Sequence, residues 1–230
     1  MTSTPSSADT SFLTALRLAD SFLPVGAYTA SYGLEQYINE TDDVDVDEIE
    51  ALLEEYLHYV VGPSDVIALA NAYDAAAAGD LEALCTVDQH LHAATLPREF
   101  RESSTKAGGQ LLDLFGAELE EYTEAVEAGE TPGTYVVVLA AVAKQVGISR
   151  AQTAQIHAYS FIVGLLGAAQ RLSRLGHTDV QMALEALLPV MSEVCDQHID
   201  EPLSEIRSFA PTIEIMGMRH EHGDVRLFMS

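Results

Sequence analysis

Between residues 131 and 180 the chain carries one carboxylate, Asp179, although it holds 36 acidic residues in all. Residues 1–130 bear 26 acidic and 4 basic side chains, whereas residues 131–230 bear 10 and 7. A protein with a formal charge of −25 loads its solvated faces with carboxylates, so a long stretch without them has little solvated face. That stretch is expected at the centre of the fold. Within it, 149–175 reads as a central helix buried on most sides. Its Gly164, Gly167, Ala168 and Ala169 would let neighbouring helices approach closely. A share in a subunit interface would leave the same signature.

The apolar period is helical almost throughout. Runs rich in Val, Ile and Thr are nearly absent, and Val136 to Val138 lie in an alanine-rich context that favours helix. The pattern predicts helices over 11–22, 31–40, 47–61, 64–78, 80–95, 98–115, 117–128, 132–146, 149–175, 178–198 and 212–218. Asp47 is placed to cap one of them, and Gly62-Pro63 to stop it before Ser64 starts the next. Pro132 suits a first helical turn, Gly147 a C-terminal cap and Ser149 an N-cap. No internal repeat is visible. The expected architecture is all-α, a single helical-bundle domain of about ten helices with a central buried helix. It would span 11–218, between a disordered leader at 1–10 and a C-terminal tail at 219–230.

Composition removes several function classes. At 48% hydrophobic the chain can build a substantial core. With Lys106 and Lys144 its only lysines, it lacks the cationic patches that displace counterions from phosphates, so no nucleic-acid partner is expected. The carboxylates are spread along helical segments rather than bunched, as in proteins adapted to concentrated salt. At 1 M salt the screening length is ~3 Å, so partner contacts must rest on apolar burial and close hydrogen bonds. Cys85 and Cys195 are isolated, which suggests neither a zinc site nor a disulfide scaffold. The longest apolar runs, 135–143 and 161–169, fall short of the ~20 residues a spanning helix needs. No membrane partner is expected, and the reading is a soluble, cytoplasmic protein.

Candidate chemistry is sparse. Ser103 and Lys106 have the spacing of a serine nucleophile and lysine base, but the motif is short and its companion elements are absent. His90 and His92 would point to different faces of a helix. His220 and His222 could converge in an irregular tail, yet no third ligand is arranged beside them, so structural histidines are the favoured reading. No glycine-rich phosphate loop follows a strand. No catalytic residue, metal site or cofactor is predicted.

Two segments rise above this background. Leu23-Pro24-Val25-Gly26 breaks the first helix, with Pro24 disfavouring helix at Leu23 and Gly26 permitting a left-handed turn. Ser31, Gly33, Leu34 and Glu35 follow where a second helix begins. The other segment is the C-terminal end, where Arg219, His220, Glu221, Arg226, Leu227 and Phe228 place charge and apolar bulk on a stretch with no helical repeat. Such an end looks built to be gripped by a partner.

At these residues the chain resembles the UreF family of urease accessory proteins. The resemblance rests on 16–26 and 31–35, continues through Arg98-Glu99, Ser103-Ser104, Gly108, Arg171-Leu172 and Gly176, and closes on Met218 to Glu221 and Arg226 to Phe228. Ala27-Tyr28 and Met229 depart from the usual pattern. The resemblance implies an all-helical, non-enzymatic, homodimeric chaperone. It would bind the accessory protein UreD (also UreH), recruit the GTPase UreG and assist nickel delivery to apo-urease. On this reading the tail, unfixed in isolation, docks Leu227 and Phe228 in pockets of UreD/UreH while Arg219 and Arg226 bond its surface, with Arg207 a weaker candidate. The turn around Pro24 to Gly26, with Glu35, would sense UreG, and Leu23, Ser31, Gly33 and Leu34 are further partner-binding candidates. A GTPase-activating module for UreG, and a small all-α hydrolase using Ser103 and Lys106, are the alternatives.

Overall fold

The structure, a computed structural model, describes residues 7–26, 30–41, 44–173, 175–222 and 227–228, with residues 7–9 described in backbone only. All regular structure among them is helical. The helices are α1 (Ser7–Ala19), α2 (Leu34–Glu40), α3 (Val46–Tyr56), α4 (Ile67–Ala78), α5 (Leu81–Ala94), α6 (Arg98–Phe115), α7 (Glu120–Glu127), α8 (Tyr135–Gln145), α9 (Arg150–Leu172), α10 (His177–His198) and α11 (Pro211–His220). None is long and apolar enough to cross a membrane among the described residues.

The most enclosed element is α8. Every residue from Val136 to Ala143 is buried, and α4, α5, α6 and α9 pack around it. The carboxylate-poor stretch is therefore central as expected: α8 is its most enclosed part, and the predicted 149–175 is the helix α9, packed among several others. α9 packs against α10, α1, α2, α4 and α8 and leaves Gln152, Gln155 and Tyr159 in solvent. Gly164 and Gly167 do not admit a neighbouring helix: a Cβ on either would meet nothing within 4 Å. The close approaches are made elsewhere. A Cβ at Gly108 of α6 would overlap the Gly133 carbonyl, so α6 reaches the backbone that leads into α8.

Pro63 does not stop a helix. The chain passes from α3 to α4 through a ten-residue π-helical segment, Leu57–Val66, with Pro63 inside it. A proline removes the amide that would bond the carbonyl four residues earlier, and its ring pushes that carbonyl aside. Here that carbonyl belongs to Tyr59, and it accepts instead from the Phe209 amide at 3.3 Å; the Pro63 carbonyl accepts from the Arg207 amide at 3.0 Å. The π widening, common only as short insertions, is thus stitched to the strand-like segment before α11. Two caps also differ. Asp45, not Asp47, caps α3, in a reciprocal box with Glu48. Thr134, not Pro132, precedes α8. Gly147, at φ 77°, and the Ser149–Gln152 capping box stand where the sequence puts them.

Asp88 fixes the entry to α8. Its buried carboxylate accepts from the Tyr122 and Thr131 hydroxyls and the Gly133 amide on one oxygen, and from the Thr134 amide and hydroxyl on the other, at 2.6–3.0 Å. A fully satisfied buried carboxylate of this kind specifies one loop conformation.

Candidate functional site

The N-terminal and C-terminal segments that stood out in the sequence meet at one place. Ser31, Tyr32 and Gly33 form a tight turn in which Tyr32 (φ 48°) and Gly33 (φ 84°) are both left-handed. A non-glycine residue holds that conformation only where its surroundings enforce it. The Tyr32 ring lies between Phe100 and Phe161, with centroids 5.2 and 5.0 Å away, and its carbonyl accepts the Tyr56 hydroxyl. The turn brings Gly33 onto α11, where a Cβ would lie 2.8 Å from the Gly217 amide nitrogen. Gly217 in turn lies against Phe100, at 2.5 Å from a Cβ built on it. Glycine at both positions is what lets α2, α6 and α11 converge.

At that convergence three buried ionisable residues meet. His220 Nδ1 lies 2.8 Å from Glu99 Oε2 and Nε2 lies 2.9 Å from Glu35 Oε2, all three side chains less than a tenth exposed. Glu35 also accepts the Leu227 amide at 2.8 Å and the Phe228 amide at 3.1 Å. Burial pushes the Glu35 carboxyl up, but the Leu227 amide, His220 and the Phe228 amide together outweigh it, and the net displacement is below the ordinary glutamate value. The Glu99 amide donates to Glu221 Oε1 at 3.2 Å. Phe228 is buried, with the Arg171 guanidinium 4.5 Å from its ring centroid.

This arrangement corrects the expectation for the tail. In this structure Phe228 is buried in the chain's own core rather than free, with its amide held by Glu35. Arg219 and His220 belong to α11 rather than to an irregular tail. Leu227, by contrast, is 77% exposed, and Arg219 lies on the outside of α11, bonded to Glu40 at 2.7 Å. Arg226 lies outside the described residues. Arg207 is tied to Glu201 and to the Glu205 carbonyl, on partners of its own. Of the N-terminal set, Leu23, Ser31, Gly33, Leu34 and Glu35 are buried in this structure, while Pro24 is exposed and Gly26 half-buried. Glu35 acts inward, on the tail.

His220 and His222 do not converge, since the first is buried with both nitrogens committed and the second is exposed. Among the described residues no three His, Cys, Asp or Glu side chains gather in a way that could hold a metal. The Ser103 hydroxyl bonds the Tyr32 phenol, and Lys106 is exposed, so the geometry lends the serine–lysine reading no support. A second polar pair, His157 Nε2 and Asp65 Oδ2 at 2.8 Å, lines a cavity of about 80 Å³ walled by aromatic rings.

Three participants had no role assigned from the sequence: Glu99 and Arg171, which entered only as part of the family resemblance, and Gly217, which was not singled out. They reach the site from 121 residues away in the case of Glu99 and His220, and Glu35 and Phe228 are 193 apart. Only an order-preserving comparison of whole chains could mark them.

Such comparison agrees along nearly the full length. The family model for UreF matches residues 44–188. The chain is 30% identical to the urease accessory protein UreF of Trichodesmium erythraeum, over 94% of this chain and 95% of that one. It is 30% identical to UreF 1 of Brucella melitensis, over 94% and 91%, and to UreF of Actinobacillus pleuropneumoniae, over 94% and 97%.

Proposed function

Because this chain belongs to the UreF family of urease accessory proteins, we propose that it is a non-catalytic scaffold for nickel insertion. It binds UreD/UreH and recruits the GTPase UreG, and the assembly matures the nickel centre of apo-urease in the cytoplasm. Nickel is cargo in this reading, not a resident cofactor.

One observation carries the docking surface. Leu227 stands in solvent with its amide held by Glu35, and on the outer face of α11 Ile215 and Met218 are 44% and 40% exposed. Gln36, Glu40, Arg219 and His222 border an open groove with Ile215 and Met218. In a heavily acidic chain such apolar exposure is costly unless a partner covers it. Burying a leucine gains about 1.5–3 kcal/mol, so Leu227→Asp with Met218→Asp should weaken capture of UreD/UreH at least about tenfold. Pull-down in molar salt, with helical content checked by circular dichroism, reads this directly. Undiminished capture by a folded variant rejects the surface.

A homodimer is supported by the open side of α9, where Tyr159, Gly164 and Gly167 form a carboxylate-free stripe. Sedimentation velocity at two protein concentrations distinguishes dimer from monomer.

A further inference from the structure

The aromatic-walled cavity of about 80 Å³ is lined by Tyr32, Tyr56, Phe100, Tyr135 and Phe161, four of whose rings pack in a run with centroids 5.0–5.7 Å apart. Two carboxyl groups, Asp65 and Glu214, share these walls, and among the described lining residues there is no lysine or arginine. His157 is the one described wall group able to carry positive charge. Whatever charge it bears, two carboxyl groups face at most one cation. Its Nε2 is taken by Asp65 at 2.8 Å, while its Nδ1 is buried with no hydrogen-bond partner. A polar atom buried in that way calls for a partner from outside the chain. Leu96 lines the cavity at 56% exposure, whereas every other described lining residue is buried or half-buried, so entry is at Leu96. We propose that this cavity binds a small organic cation of the guanidinium class.

The two kinds of wall select the ligand between them. An anion is repelled by the carboxyl groups. A neutral apolar molecule suits the rings but strips the carboxyl groups of water and returns nothing. A small divalent cation gives up its hydration reluctantly, and aromatic rings offer it few oxygen ligands in exchange. No three His, Cys, Asp or Glu side chains among the described residues are grouped to hold one. A guanidinium meets both walls. It is planar and stacks on aromatic faces, its N–H groups donate to carboxylates, and it is more weakly hydrated than an ammonium, so less is lost on entry. None of the lining residues belongs to the surface assigned above to UreD/UreH, and no partner is needed to observe the binding.

The test titrates methylguanidinium into the full-length chain in about 1 M potassium chloride, where attraction to the acidic surface at large is screened. Proton NMR follows the methyl resonance of the ligand, which ring currents displace only when that group lies against aromatic rings. The expected result is a saturable displacement with a dissociation constant below about 10 mM, as suits a ligand of few atoms. Methylurea has nearly the same shape without the charge, and it should bind at least about tenfold more weakly. Asp65→Asn keeps a polar partner for His157 and removes one charge, so it should weaken methylguanidinium at least about tenfold as well. Circular dichroism shows whether that variant is folded; if it is not, Glu214→Gln replaces it with the same expectation. Absence of a saturable displacement overturns the site. So does equal binding of methylurea, or undiminished binding by a folded variant. Nα-acetylarginine amide should bind more weakly, because a site entered only at Leu96 excludes a backbone; tighter binding would give the cavity to an arginine side chain of a partner and overturn the small-molecule reading.

Discussion

Asp88 and Glu35 both sit buried as carboxylates, and each does its work by accepting several donors at once. Asp88 gathers five donors from 122–134, so Asp88→Ala would strand two amides and three hydroxyls in a dry interior. The expected loss is about 3–5 kcal/mol in urea unfolding, and a cost under about 1 kcal/mol would mean that the loop is held by something else. Glu35 gives a pH signature. Its carboxyl titrates lower in the folded chain than in the unfolded one, where glutamate lies at about 4.3. Its contribution is therefore complete above that value and fades as the pH falls through the folded value. The stability difference between wild type and Glu35→Gln should shrink as the pH is lowered below about 4, and a constant difference would show that Glu35 stabilises nothing by its charge. Asp88 was not legible at the residue itself, since in a chain with 36 acids one more carboxylate on a helix carries no mark; Glu35 stood out with 31–35, but not its capture of the tail. Gly26 and Gly147 were legible, because a left-handed turn leaves its imprint on residue type.

At the scale of elements, neighbouring glycines of α6 separate packing from propensity. Gly108 faces the Gly133 carbonyl, and Gly109 faces open space. Gly109→Ala should stabilise by up to about 1 kcal/mol, the helix-propensity gain alone. Gly108→Ala should destabilise by about 2 kcal/mol or more, since the overlapped atom is backbone and cannot swing away. Thermal unfolding of the two variants decides the matter, and equal effects would refute the close approach of α6 to the α8 entry. Helix existence was read well from apolar spacing and caps. The π segment was not, because Pro63 ends a helix unless another part of the chain takes the Tyr59 carbonyl, and that donor lies at Phe209. That α8 is enclosed along its whole length while α9 keeps a few exposed positions was also hidden, since both lack carboxylates and only packing distinguishes them.

For the whole molecule the formal charge of −25 sets the response to salt. Self-repulsion of surface carboxylates destabilises the compact state, and at 1 M salt the screening length falls to ~3 Å. We propose that the protein is adapted to concentrated salt, so its thermal midpoint should climb between low and molar potassium chloride. A flat or falling midpoint would remove the salt reading of the acidity. Exposed apolar side chains such as Leu227 and Met218 suit such conditions, because contact by burial survives screening that abolishes steering by charge.

Taken alone, the sequence determined the all-helical class, the central position of the carboxylate-poor region, most helix ends and the family. Those features depend on periodicity, residue type and order along the chain, all of which are local or additive. Tertiary structure decided what the ends do. Glu35, Glu99, His220 and Phe228 become one cluster only because Gly33, Gly217 and Phe100 let three helices touch. Hydrogen bonds between residues more than a hundred positions apart leave no period to read, so the inward capture of Phe228 and the outward turn of Leu227 had to be seen in the fold.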